Sequence, residues 1–313
     1  MNTIKVKLPN LVIAGVVKGG TTSLYTYLSQ HPDICASSVK ETCYFSVFRY
    51  GQLDSRYRQA VSPFNQYKSY FSHCQEQKYI MEATPGYFEG GMSVIKEIKT
   101  TLGEEVKILI ILREPIARLL SFFKYKKSML ALDKKLTIEQ YIKQCELLSY
   151  SEKIKQENDT YWGLDGGFYA NYLAEWLASF GKYLKVIFFD DLQSNSQELL
   201  ADICSWLEID YESWQLSYLK VENKSINYKN QFLQRLALTI NQSTEQFWRG
   251  NPKIKSQVRE IYYRINGMPY SDELKPETLE YLKELYKPYN KKLAAQLISG
   301  NHPVLPQWLQ TGV

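Results

Sequence analysis

Residues 11–17, LVIAGVV, form an apolar run too short for a helix, the pattern of a strand buried on both faces. The run stops at Lys18-Gly19-Gly20-Thr21-Thr22-Ser23, after which Leu24, Tyr27 and Leu28 recur at helical spacing. This predicts a strand, a tight loop and a helix. Further along, residues 79–81 predict a short strand and residues 93–102 a helix, and 106–112, VKILIIL, is the strongest buried-strand pattern in the chain. A helix follows from Pro115, another runs from about Gly166 through Leu173, Trp176, Leu177 and Phe180 to Gly181, and residues 184–189 predict a further buried strand. Residues 199–207, 232–247, 258–265 and 279–286 predict helices, whereas 49–70, rich in Tyr, Arg and Gln, shows no clean period.

Strands that alternate with helices predict an α/β fold: a P-loop-like parallel sheet with helices on both faces and a ligand crevice at the strands' carboxyl ends. One domain is expected over residues 1–313, with a charged helical excursion at about 124–165 and a carboxyl-terminal helical cap at about 226–313.

Composition narrows the function classes. The chain has 313 residues, 44% of them hydrophobic, and a net charge of +5 spread along its length. An anionic cofactor suits this balance better than a nucleic-acid duplex, which calls for a concentrated basic face. Cys35, Cys43, Cys74, Cys145 and Cys204 are odd in number and widely spaced, and His31, His73 and His302 lie far apart in sequence. Neither a disulfide framework nor a metal site is expected, and a reducing, cytoplasmic setting follows. The apolar run at 11–17 is far below the ~20 residues that span a bilayer, so no membrane partner is expected. Oligomeric state is not legible.

The loop after the first strand carries the chemistry. Glycines let the backbone approach a ligand, and the amides of the following helix point at an anion with the helix dipole behind them. A nucleotide triphosphatase loop needs G-x-x-x-x-G-K-[ST], with the lysine on the β- and γ-phosphates and a hydroxyl on magnesium. Here Gly15 and Gly20 keep that spacing, but Thr21 stands in the lysine position and the cation has moved forward to Lys18. This disfavours a metal-assisted γ-phosphate site. A second anion device is Arg113-Glu114-Pro115 at the end of the strongest strand, with Ser121 about two turns into the next helix.

K-G-G-T-T-S-L after a strand resembles the 5′-phosphosulfate loop of sulfotransferases that use 3′-phosphoadenosine 5′-phosphosulfate, and L-R-E-P-x-x-R-x-x-S matches the same family's 3′-phosphate motif. H-P-D-I at 31–34 and Lys40-Glu41 before Tyr44-Phe45 resemble the glycosaminoglycan-modifying branch. The resemblance implies the sulfotransferase fold and assigns Lys18, Gly19, Gly20, Thr21, Thr22 and Ser23 to the 5′-phosphosulfate, with Lys18 also catalytic. It assigns Arg113 and Ser121 to the 3′-phosphate and Glu41 to the role of base. Tyr169 is a looser nucleotide candidate. Relatives close a basic K-G-[RK] loop over the 3′-phosphate. The corresponding region here reads Arg264-Ile265-Asn266-Gly267, so Lys224, Lys229 or Arg264 must substitute. Ala83 replaces the lysine of the heparan-type E-K-[ST]-x-x-Y-F, which tilts the expected acceptor toward a small-molecule hydroxyl or amine rather than a polysaccharide.

Three alternatives stay open: a glycan acceptor, a magnesium-dependent kinase using Asp190 and Asp191, and a non-catalytic nucleotide-binding module. Asp190 and Asp191 are otherwise expected to cap the helix that begins near Ser196. His31 and His73 are the fallback bases.

Overall fold

The computed structural model describes residues 7–46, 62–153, 155–214, 227–244, 247–248, 251–269, 274–300 and 304–310. Five strands, β1 (Leu11–Gly15), β2 (Ile34–Ala36), β3 (Tyr79–Ala83), β4 (Lys107–Leu112) and β5 (Leu184–Phe188), form one sheet in the order β2-β3-β1-β4-β5. Every pairing is parallel; Leu11 lies against Met81 on one side and Lys107 on the other. The chain leaves β1 toward β2, returns to β3 and then crosses to β4, so the strand order reverses around β1. Ligand crevices of open α/β sheets form at such a reversal, beyond the carboxyl ends of the strands.

Alternation along each strand gives the sheet its two cores. Val12 and Ala14 of β1 with Ile108, Ile110 and Leu112 of β4 pack against α3 (Gly91–Leu102), α6 (Ala170–Phe180) and the later part of α10 (Pro276–Ser299). Leu11, Ile13, Leu109 and Ile111 face the other way, onto α1 (Thr21–Leu28) and α7 (Ser196–Leu207). Both faces are covered, as the near-continuous apolar strands require.

Besides short helical turns, the described residues also form α2 (Pro63–Ser69), α4 (Pro115–Ser128), α5 (Ile138–Leu147), the two-stranded pair β6 (Asn227–Tyr228) and β7 (Gly267–Met268), α8 (Gln231–Ser243) and α9 (Pro252–Asn266). The chain divides into two compact units. The first comprises Met1–Pro115, Gly166–Asn223 and Glu284–Val313 and holds the sheet; the second comprises Ile116–Asp165 and Lys224–Lys283. Within the second unit α5 begins with a reciprocal capping box between Thr137 and Gln140. The motif arginine Arg118 is buried there, its guanidinium donating to the Gly163 carbonyl.

Four sequence expectations need correction. Cys35 and Cys74 form a disulfide with Cα atoms 5.7 Å apart, 39 residues apart in the chain. Their spacing showed no motif because the pairing is made by the fold: β2 carries Cys35, and the turn beyond α2 brings Cys74 to it. Asp190 and Asp191 do not cap α7. They lie in the short helix Phe189–Ser194, and Asn195, the residue preceding α7, makes no side-chain cap bond. The helix expected from about Gly166 starts at Ala170, after a tight turn at Asp165–Gly167. The helix expected over 279–286 runs to Ser299 through Pro288, because Leu293 and Leu297 are buried against the sheet and hold the extra turns in place.

Candidate active site

At the end of β1 the Val16 amide donates to the Ile111 carbonyl at 3.0 Å and the Gly19 amide to the Val16 carbonyl at 2.9 Å, which folds the loop tightly over β4. A Cβ at Gly19 would stand 2.6 Å from the Ile111 oxygen, so only glycine fits between loop and strand. Gly20 precedes α1 at φ 102, in the left-handed region, and provides no side-chain cap. The amides of Thr21, Thr22 and Ser23 are the opening N–H groups of α1, which find no acceptor within the helix and point out of its positive end. A phosphate group is the natural complement to this arrangement.

Lys18 stands at the mouth of the loop, half-buried and itself left-handed at φ 67. Its pKa is lowered to about 8, first by burial and then by the guanidinium of Arg113, with Glu41 opposing and Lys40 adding to the shift. Arg113 leaves the end of β4 and donates from Nη1 to the Lys18 carbonyl at 3.4 Å, and its guanidinium lies 4.4 Å over the Phe189 ring. Two cations pressed together in a partly dry setting raise each other's energy, and a bound anion relieves that cost. The donor set therefore fits a phosphorylated nucleotide.

Glu41 comes to the same place from the segment after β2. Its amide donates to the Ala83 carbonyl at 2.8 Å, and its exposed carboxylate accepts from Lys40 Nζ at 2.7 Å. Both Glu41 (φ 62) and Cys43 (φ 53) are left-handed, an uncommon conformation for residues with a Cβ. A buried network holds the turn between them. Thr42 Oγ1 donates to Glu82 Oε2 at 2.6 Å and lies 3.1 Å from the Tyr87 hydroxyl; the Cys43 amide donates to Thr84 Oγ1 at 3.2 Å, and the Phe45 amide to the Tyr87 hydroxyl at 3.3 Å. Glu82 is wholly buried in β3, and burial pushes its pKa up to about 7 against the opposing bonds from Thr42, Tyr87 and Tyr67.

Thus the first unit brings together Lys18, the glycine–threonine loop, Arg113 and Glu41. Tyr169, looked for at the nucleotide, is buried; its hydroxyl donates to the Arg113 carbonyl at 2.8 Å and supports that arginine from behind. Ser121, Lys229 and Arg264 belong to the second unit. Ser121 is half-buried on α4 and Lys229 is exposed, its amide donating to the Asn266 carbonyl at 2.7 Å. Arg264 is exposed and ion-paired with Glu260 one turn back, at 2.9 Å. Lys224 lies outside the described residues.

His31 is not a base in waiting. It is buried, its Nδ1 accepts from the Asp33 amide at 3.0 Å, and Nε2 lies 3.0 Å from the Asp210 carbonyl, so the ring is a structural tie with both nitrogens engaged. Sequence reading missed Glu82, Thr42 and Tyr87. The available signal was a carboxylate inside an otherwise apolar strand, YIMEA. Ala83 is wholly buried and paired with Ile13.

Among curated proteins, the chain is 32% identical over 132 residues to the membrane-associated sulfotransferase kil1 of Dictyostelium discoideum, a match covering 42% of this chain and 26% of that protein. It is 28% identical over 178 residues to heparan sulfate glucosamine 3-O-sulfotransferase 3A1 of Mus musculus, covering 56% of this chain and 39% of the relative. These matches span only about a quarter to two-fifths of the relatives' length. A solved sulfotransferase from Alicyclobacillus acidocaldarius shares the fold, with a TM-score of 0.58 at 23% identity over 78% of this chain and 95% of that one. The model of the sulfotransferase domain matches residues 8–296, a span that takes in the anion loop, Glu41 and Arg113, and the chain therefore belongs to the sulfotransferase domain family.

Proposed function

We propose that the protein transfers a sulfuryl group from 3′-phosphoadenosine 5′-phosphosulfate to a hydroxyl or amine. The observation that carries this reading is the pair of half-buried cations, Lys18 and Arg113, set against the amide-rich start of α1 with Glu41 in the same electrostatic field. The cofactor, when bound, supplies an activated sulfuryl group on a phosphate leaving group. Lys18 and the amides and hydroxyls of Gly19 to Ser23 would hold its 5′ end, and Arg113 its 3′-phosphate.

The roles follow from the charges. Sulfuryl transfer resembles phosphoryl transfer in needing positioning and charge stabilisation more than covalent help from the protein. Protonated Lys18 opposes the negative charge that develops on the leaving oxygen. Glu41, exposed at the edge of the loop and ion-paired with Lys40 beside it, accepts the acceptor's proton on a carboxylate oxygen.

For the acceptor, the names of the relatives favour a glycan over the small molecule expected from Ala83, since several are heparan sulfate sulfotransferases. Lys40 supplies a cation beside Glu41 that the reading from Ala83 left out. The test is transfer of labelled sulfate from the cofactor to heparosan oligosaccharides and to simple phenols and amines, alongside calorimetric titration with 3′-phosphoadenosine 5′-phosphate and with magnesium-ATP. Labelled oligosaccharide together with selective binding of the 3′-phosphorylated nucleotide supports the reading. Labelled phenols or amines alone would return the acceptor to the small-molecule class, and preference for magnesium-ATP would overturn sulfuryl transfer.

A further inference from the structure

The segment that presents Glu41 is held from a second side, by the helix that opens on the anion loop. Tyr25 lies one turn into α1, four residues after Thr21 and on the same side of the helix, and its hydroxyl donates to the Ser37 carbonyl at 2.6 Å. Ser37 is buried just past the end of β2, and its Oγ donates to the Val39 carbonyl at 2.8 Å, two residues before Glu41. Two hydrogen bonds in series thus connect the helix whose first amides face the anion with the stretch that carries the carboxylate.

A half-buried tyrosine with a bonded hydroxyl is most often a packing residue, and this ring does pack against the core on the α1 face of the sheet. The partner of its hydroxyl points further. The Glu41 segment is already placed on the sheet without it: the Ser37 amide donates to the Met81 carbonyl and the Glu41 amide to the Ala83 carbonyl, each at 2.8 Å. Its other edge is tied beyond α2, where the Ser38 amide donates to the Tyr70 carbonyl at 2.8 Å and His73 Nε2 lies 3.0 Å from the Ala36 carbonyl. Those bonds fix the segment to β3 and to the end of α2. Tyr25 fixes it to α1, the element that carries the phosphate-facing amides.

We propose that Tyr25 is a positioning residue for transfer: through Ser37 and Val39 it fixes the separation between the group held at the start of α1 and the carboxylate of Glu41. This role rests on the sulfuryl-transfer reading above. In-line transfer leaves a narrow window for that separation, and a misplacement of about 1 Å costs on the order of 10²-fold in rate. Glu41 itself is left-handed at φ 62, a conformation that a residue with a Cβ holds only when its surroundings impose it. Tyr25 touches neither cofactor nor acceptor in this role and moves no proton, so its signature is a loss of turnover without a loss of nucleotide binding.

Tyr25→Phe keeps the ring and removes the donor. With an acceptor that the wild-type protein labels, it should lower kcat by ~10-fold or more. Calorimetric affinity for 3′-phosphoadenosine 5′-phosphate should not weaken, because Lys18, Arg113 and the α1 amides stay in place. Ser37→Ala cuts the second bond of the series and should show the same split; it takes over as the test if the far-ultraviolet circular dichroism spectrum shows that the tyrosine variant does not fold. The decisive comparison is made in the Glu41→Gln protein, where Tyr25→Phe should cost no further turnover because the group it positions is already gone. A further loss there as large as in the wild-type background would mean that Tyr25 acts on the anion loop or on the fold at large, and would overturn the proposal. A parallel loss of kcat and nucleotide affinity in the folded single variants would overturn it as well. Sulfate transfer that both folded variants retain in full would sink the role alone, whereas no transfer by the wild-type protein to any acceptor would sink the reading on which the role rests, and the role with it.

Discussion

Lys18 is the residue on which the site's electrostatics turn. Its pKa of about 8 sits below the usual lysine value because it is buried beside Arg113, so the free protein begins to lose this charge just above neutrality. The sign for binding follows: a protonated Lys18 attracts the phosphate and a neutral one does not. Affinity for 3′-phosphoadenosine 5′-phosphate should therefore fall as pH rises between about 7 and 10, and Lys18→Met should flatten that part of the profile in calorimetric titrations. Lys18→Ala should lower turnover by ~10²-fold or more if the charge acts mainly on the transition state; unchanged turnover would remove it from the mechanism. Arg113→Ala should weaken the 3′-phosphorylated nucleotide far more than its 3′-dephospho analogue, and an equal loss of both would remove the selectivity assigned to it. Lys18, Arg113 and Glu41 were legible in the sequence because each sits within a short motif at a strand end or turn. Their common electrostatic field was not, because they lie up to 95 residues apart and meet only when β1 and β4 pair.

Among the elements, β3 does more than complete the sheet. Its last residues and those just beyond hold the turn that presents Glu41, through Glu82 to Thr42, Ala83 to the Glu41 amide, Thr84 to the Cys43 amide and Tyr87 to the Phe45 amide. Such bonds are needed to keep two side-chain-bearing residues left-handed. Thr42→Val removes the donor to Glu82 and should lower turnover with little change in nucleotide affinity; an equal loss in both would show that the network supports the whole site instead. The pKa of Glu82 is raised to about 7, so the folded state keeps a proton that the unfolded chain gives up near 4.5. The associated stability is complete below the unfolded value and is lost as pH rises through 7, on the order of 3 kcal/mol. Glu82→Gln should abolish this dependence in urea unfolding compared at acidic and mildly alkaline pH. The strand itself could be read from YIM, but the use made of Glu82 could not, since its partner Thr42 lies in a segment with no period of its own.

At the scale of the whole molecule, the sheet-bearing unit is closed by one covalent tie among the described residues. The Cys35–Cys74 disulfide bridges 39 residues, which in the chain-entropy treatment corresponds to about 4 kcal/mol. Cys74→Ser, or reduction by dithiothreitol, should lower the urea midpoint accordingly, and a midpoint that does not move would mean that the surrounding packing already holds β2 in place. By itself the sequence determined the alternation of buried strands and helices, the anion loop at residues 18–23, and the arginine at the end of the fourth strand, because period, glycine chemistry and local charge act over a few residues. Only the tertiary structure decided that Cys35 meets Cys74, that Glu82 holds Thr42, that Tyr169 supports Arg113 from behind, and that the apolar stripes of α8 and α9 remain exposed. Each of these depends on which distant segments pair and which faces are already covered, and a helix whose apolar stripe is left outward has the same period as one that buries it.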